Sequence, residues 1–265
     1  MLKRVIILPF FLIILAAFAM FWLVYLAGSR DAVRYAVASV VNEVSERVTA
    51  EGIGRIEEAS RVAASNAALF ALSPPSRLDE AVVMRLFLRQ LSLSDNVGIF
   101  SVGTAEGEYW EAQRTADGKL RVGRAGASTG GALQFHPVAL DGAILPVSES
   151  RPGYDPRQRP WYSTGAAGYD YAWTEPYALY SNADLAMAAA APARDAAGRL
   201  VGVTTATLTL GSFSDRLSRF REASRGIFFI TDSTGRILAS SSGPDALLSA
   251  EGGRLFASAH PDALL

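Results

Sequence analysis

Nine residues carry the densest chemistry in this 265-residue chain: Tyr154-Asp155-Pro156-Arg157-Gln158-Arg159-Pro160-Trp161-Tyr162, with a further tyrosine at Tyr177. Arginine stays charged and presents a planar fork that fits a carboxylate through two parallel hydrogen bonds. Aromatic faces beside such a fork exclude water, which strengthens the contact. Pro156 and Pro160 stiffen the segment and preorganise whatever it presents. The pattern implies a pocket for a small carboxylate, with Arg159 as the residue that holds it. Arg157 fits a surface or structural ion pair better than a ligand contact. Trp161 and Tyr162 also suit an aromatic core at the start of a short helix, and Tyr154 and Tyr177 suit packing and pocket equally well.

Other chemistries find little support. Metal-assisted hydrolysis wants clustered histidines and acids, but the two histidines, His136 and His260, lie far apart in the sequence. No His-Glu-x-x-His, Gly-x-Ser-x-Gly or Gly-x-x-x-x-Gly-Lys pattern occurs, so no enzyme, metal or cofactor is expected within the chain. Cysteine is absent, which removes disulfides and thiolate ligands. A net charge of −1 without a dense basic patch argues against nucleic acid as a partner.

The elements that would position the cluster begin at the N-terminus. Lys3 and Arg4 precede a charge-free apolar run from Val5 to about Leu26, and roughly 20 such residues span a bilayer. A cleaved signal peptide has a shorter apolar run, so an uncleaved anchor is expected, with cleavage near Ala27-Gly28 as the alternative. Lys3 and Arg4 favour a cytoplasmic start, which places everything after Gly28 outside the cytoplasm. Ser29 to about Phe70 lacks proline and reads as one long helix, with a bend at Gly52-Ile53-Gly54 allowed. Val37, Val41, Val44 and Val48 form its stripe, continued less regularly by Ile53, Ile56, Ala63 and Ala67. That stripe fits packing on its own domain, and its a/d-like spacing also fits a homodimer through the helix.

Ser73-Pro74-Pro75-Ser76 ends the helix, and Ser76 is the expected cap of a second one from about Arg77 to Ser92, with Asp79 and Glu80 in its first turn. Short strands are expected at 97–102, 108–112, 120–122 and 132–140, with a glycine-rich loop from Gly123 to Gly131. A short helix follows the arginine–aromatic loop at about Pro160 to Ala166. Strands Leu185 to Ala193 and Leu200 to Leu210 make a hairpin, then a helix runs from Phe213 to Arg221. Gly226 to Thr231 and Ile237 to Ser240 begin a second strand–turn–strand unit that lacks room to finish before Leu265. Helices and an antiparallel meander, without βαβ units, make the fold class α+β.

The chain resembles the double Cache family of bacterial extracytoplasmic sensor domains, which pair a long N-terminal helix with two PAS-like sheets. The resemblance rests on the anchor, the long helix, Tyr154-x-x-x-x-Arg159-x-Trp161-Tyr162, Tyr177, Gly198-Arg199-Leu200-Val201-Gly202-Val203 and Asp232-Ser233-Thr234-Gly235-Arg236. It implies an anchor at 1–28, the long helix at 29–72, a membrane-distal ligand domain at 73–222 and the start of a proximal domain at 223–265, in a truncated receptor of the inner membrane. In the amino-acid-sensing branch the arginine takes the ligand carboxylate, the tyrosines and tryptophan shape the pocket, and an aspartate on a later strand takes the ammonium. Tyr154, Arg159, Trp161, Tyr162 and Tyr177 carry over. The aspartate does not: Thr207 stands in its place, and Asp184 is the nearest acid that could lie near the pocket.

A desolvated ammonium without a carboxylate partner costs about 2–5 kcal/mol. The expected ligand is therefore an organic carboxylate lacking an α-amino group, or an amino acid bound more weakly. The rival class is a membrane-tethered dimerisation module whose pocket has decayed.

Overall fold

The computed structural model describes residues 2–182, 184–224, 227–243 and 254–259; side chains of residues 1–14, and most of those from 24 to 44, lie outside the described set. The chain divides into two compact units, 1–50 and 51–265. Helix α1 is assigned to Leu2–Leu72, with no break at Gly52 or Gly54. The expected apolar span falls largely on side chains outside the described set, as do Val37, Val41 and Val44 of the proposed stripe. Among the described residues no helix is long and apolar enough to cross a membrane.

Within the second unit, α1 presents Ala59, Ala63, Ala67 and Phe70 to the core, each nearly or fully buried. Three alanines at four-residue spacing lie on one helical face, and their small side chains allow close approach. Ile53 and Ile56 do not join them; they are 51% and 42% exposed, so the expected continuation of the stripe is corrected at those two positions. Helix α2 (Glu80–Leu93) contributes Val83, Met84, Phe87 and Leu91, an i, i+1, i+4, i+8 pattern that fixes its buried side. Its cap is Asp79, whose carboxylate accepts from the Ala81 N–H at 2.9 Å. Ser76 is not the cap, because Pro75–Arg77 winds into a 3-10 turn that Leu78 ends in an extended conformation. Asn66 and Gln90 exchange amide hydrogen bonds at 3.0 and 2.7 Å and tie α1 to α2.

Among the described residues the main sheet has nine strands: β1 (Ile99–Thr104), β2 (Tyr109–Arg114), β3 (Leu120–Ala125), β4 (Leu133–Pro137), β5 (Glu149–Arg151), β6 (Ala172–Trp173), β7 (Tyr177–Ala178), β8 (Leu185–Arg194) and β9 (Leu200–Thr209). Their order is β5-β4-β3-β2-β1-β9-β8-β6, with β7 also paired to β8, and every pairing is antiparallel. The hairpin β8–β9 was legible in the sequence. The pairing of β9 with β1, about a hundred residues earlier, was not. Helix α3 (Pro160–Ala167) covers the sheet, and α4 (Leu210–Ser224) leads to a two-stranded ribbon, β10 (Phe229–Thr231) with β11 (Ile237–Ser240).

Alternation along the strands sorts the side chains into two layers. Phe100, Val102, Trp110, Ala112, Val122, Ala206 and Leu208 face α1 and α2 in one buried cluster. An aromatic series runs through it: Phe70 meets Phe87 edge-on at 6.1 Å, and Phe87 stacks on Phe100 at 6.4 Å. Full burial of side chains of this size stabilises by about 1.5–3 kcal/mol each. The residues between them, Ile99, Ser101, Tyr109, Glu111 and Thr207, face the other way, where α3 and its preceding loop form the second layer.

Candidate functional site

On that second face lies a small pocket that opens in part to solvent. Its floor is the sheet. Ile99 and Ser101 come from β1, Tyr109 and Glu111 from β2, Leu133 from β4 and Thr207 from β9. Its walls come from the arginine–aromatic segment (Tyr154, Arg159, Trp161) and from the stretch Tyr177, Leu179, Tyr180 and Ser181. The two segments meet over one patch of sheet.

The wall is seated by close approach to the floor. A 3-10 turn, Pro156–Gln158, opens with Asp155, whose carboxylate accepts from the Arg157 N–H at 2.9 Å. Arg157 folds back onto Asp155 as an ion pair at 2.9 Å, and this contact holds the Asp155 carboxyl below its ordinary range. Arg157 thus serves the turn and lies outside the pocket. Beneath the turn is Gly103 of β1, where a Cβ would stand 2.7 Å from Pro156 Cβ and 2.8 Å from Trp161 Cη2. Only a bare backbone admits the loop at this height. Gly103→Ala is expected to lift the segment bearing Arg159, at about 1–3 kcal/mol in folding stability. Chemical denaturation measures it; an unchanged midpoint would show that the seat is softer than these distances imply.

Trp161 is 3% exposed, 5.9 Å from the Tyr109 ring and 5.7 Å from Tyr162. Tyr154 lies 4.8 Å from Tyr109 and 5.1 Å from Tyr180. Arg159 is half-buried; its Nη2 donates to the Ala178 carbonyl at 3.0 Å, and its guanidinium carbon sits 5.5 Å from the Tyr180 ring centre. Among the described residues no carboxylate lies within ion-pair distance of Arg159. The fork is therefore anchored at one corner and otherwise available to a ligand.

Of the residues expected from the sequence, Tyr154, Arg159, Trp161, Tyr177 and Thr207 line the pocket. Tyr162 and Asp184 do not. Tyr162 packs behind Trp161 and directs its hydroxyl at the Thr104 carbonyl, 3.4 Å away. Asp184 is exposed at a turn, bonded to Asn182 by side chain and backbone. Asp184 was the acid expected near the pocket; its hydrogen bonds to Asn182 hold it in the turn that leads into β8.

The acid in the pocket is Glu111, which sequence reading passed over as one position of a short strand. It is 5% exposed and its Oε2 accepts from the Tyr109 hydroxyl at 2.6 Å. Burial pushes its carboxyl above the ordinary value, against the opposing pull of the Tyr109 hydroxyl and the Arg121 guanidinium. Burial likewise raises Tyr109, Tyr154 and Tyr177, so all three phenols stay neutral. Strand alternation was the available signal: Tyr109 and Glu111 share a face, opposite the core residues Trp110 and Ala112.

The fold is a two-layer antiparallel sheet with a polar-floored pocket under an arginine–aromatic wall. The comparisons with known proteins name the type. Residues 135–215 match the family described as methyl-accepting chemotaxis protein-like, first PDC sensor domain. Over that stretch the chain is similar to PDC/Cache-like sensor domains of methyl-accepting chemotaxis receptors. It is similar to the methyl-accepting chemotaxis protein McpC of Bacillus subtilis, with 30% identity over 98 residues, 37% of this chain and 15% of that receptor. Its fold is similar to the ligand-binding domain of the Pseudomonas fluorescens chemoreceptor CtaA in complex with L-isoleucine (TM-score 0.52, 20% identity, 87% of this chain and 76% of that one). The same domain in complex with L-serine gives a TM-score of 0.50 at 21% identity, over 78% and 73% of the two chains. These relatives are receptors, and no catalytic activity is indicated by the match.

Proposed function

We propose that the chain is the membrane-anchored, extracytoplasmic input module of a signalling receptor, and that its pocket binds a small organic carboxylate. The observation that carries this reading is Arg159, a half-buried guanidinium at an aromatic wall with no acid paired to it among the described residues. A charge-assisted contact there contributes about 1.5–3 kcal/mol. Tyr154, Trp161 and Tyr177 shape the space around the carboxylate and Thr207 lines the floor. That related domains are described with L-isoleucine and L-serine supports a ligand of this size.

In this reading residues 1–28 anchor the chain in the inner membrane, 29–72 form the rising helix, 73–222 the ligand domain and 223–265 the start of a membrane-proximal domain. Ligand closing on Arg159 biases a two-state equilibrium that reaches the bilayer through α1. The test is a thermal-shift screen of the full chain in detergent against small carboxylates. Binding at a hundredfold excess over the dissociation constant stabilises by about 2.7 kcal/mol. If a folded sample responds to no carboxylate, the ligand reading fails and the tethered dimerisation module takes its place.

A further inference from the structure

Glu111 is an expensive residue to leave unexplained. Its side chain is buried, its Oε2 is satisfied by Tyr109, and its Oε1 has no hydrogen-bond partner. An ionised carboxylate accepts about four hydrogen bonds, so most of the capacity of this one is unused. A buried acid with an orphaned oxygen is costly unless something of opposite charge or a donor arrives. The fold also makes room for it. Directly across the β2–β3 ladder stands Gly123, where a Cβ would lie 2.7 Å from both Glu111 Cγ and Oε1. A larger residue there would cover the carboxylate or push it aside.

The nearby cations are already engaged elsewhere. Arg121, on β3, stacks 3.8 Å over Phe135, donates to Gln113 and pairs with Glu149 at 3.1 Å. Arg159 acts on Tyr154 and Tyr177, and so does Glu111, which places both charges around the same two phenols. Thr207 lies two strands from Glu111, because β1 runs between β2 and β9; two strand spacings are roughly 10 Å. A hydroxyl row fills the gap: Ser101 pairs in register with Glu111 on one side and Thr205 on the other, with Ser101 Oγ and Thr205 Oγ1 2.7 Å apart.

We propose that Glu111 is the counter-charge for a cationic nitrogen on the ligand, so that the pocket selects a carboxylate that also carries an ammonium group. The inference rests on the reading of Arg159 as the carboxylate site and deepens it: the acid absent at Thr207 is supplied from β2, at a different point on the floor. Glu111 faces Tyr109 on its own strand, Arg121 on β3, and Tyr154, Tyr177 and Arg159 from the walls. Its raised carboxyl keeps a proton to higher pH than an ordinary one, and an ammonium displaces that proton. Affinity for the cationic ligand therefore falls with decreasing pH, and binding releases protons.

The experiment uses the full chain in detergent and calorimetric titration with matched four- and five-carbon series: the plain acid, the 2-amino acid, the ω-amino acid and the amine without a carboxylate. At least one amino acid is expected to bind 30-fold or more tightly than its plain acid. Glu111→Gln is expected to collapse that ratio towards one while the plain acid keeps its affinity, and Thr207→Val to leave the ratio intact. Titration in two buffers of different ionisation enthalpy reads the proton release in the wild-type chain, independently of how well the variant folds. Plain acids binding as well as the amino acids would overturn the role of Glu111 and leave the Arg159 site standing. No binding by any carboxylate would overturn both.

Discussion

Arg159→Ala is expected to weaken binding of a small carboxylate by about 10- to 150-fold, the equivalent of roughly 1.5–3 kcal/mol. The loss stays within the scale for charged contacts because Arg159 is only half-buried and water competes for the fork. Folding stability should fall by no more than about 1 kcal/mol. The substitution deletes one hydrogen bond to the Ala178 carbonyl and one ring contact with Tyr180, 5.5 Å away. Arg159→Lys separates charge from geometry: it keeps the cation but loses the planar fork, and an affinity between the two other forms is expected. Calorimetric titration of the three proteins with one acid settles the matter. A change of less than twofold in Arg159→Ala would sink the carboxylate reading, since no other guanidinium lines this pocket among the described residues.

How much of this was legible beforehand follows from the range of the interactions. The arginine–aromatic segment is local: its turn, its ion pair and its short helix all fall within residues 154–167, so Tyr154, Arg159 and Trp161 announced themselves. Strand boundaries were read to within a few residues where β-branched and apolar runs met Gly or Asp turns. The short strands β5, β6 and β7 went unread because two or three residues carry no periodicity. Glu111 went unread for a different reason. Its importance arises from pairings of β2 with β3 and of β1 with β9, which put an acid, a glycine and three hydroxyls on one sheet face. Asp184 was the acid expected near the pocket instead. The sequence pattern of a strand does mark which face each residue takes, yet not which face will be roofed by a loop 50 residues later.

That roof depends on one side chain more than any other. Trp161→Ala is expected to cost about 3–5 kcal/mol of folding stability, the range for deleting a large buried aromatic. The residue is 3% exposed and stands between Tyr109 on the floor and Tyr162 in α3, directly above Gly103. A domain of ordinary stability has about 5–15 kcal/mol in total, so the loss removes a large fraction without necessarily unfolding the chain. Tyr162→Phe is the contrast, because it removes only a hydroxyl bonded at 3.4 Å, and less than about 1 kcal/mol is expected. Urea denaturation of both variants reads the difference, and titration with carboxylates reads its consequence. If Trp161 acts as the footing of the Arg159 segment, affinity falls in Trp161→Ala and recovers substantially in Trp161→Phe, which refills most of the volume. Equal affinity in Trp161→Ala and the wild-type chain would show that Arg159 is held by Ala178 and Tyr180 alone.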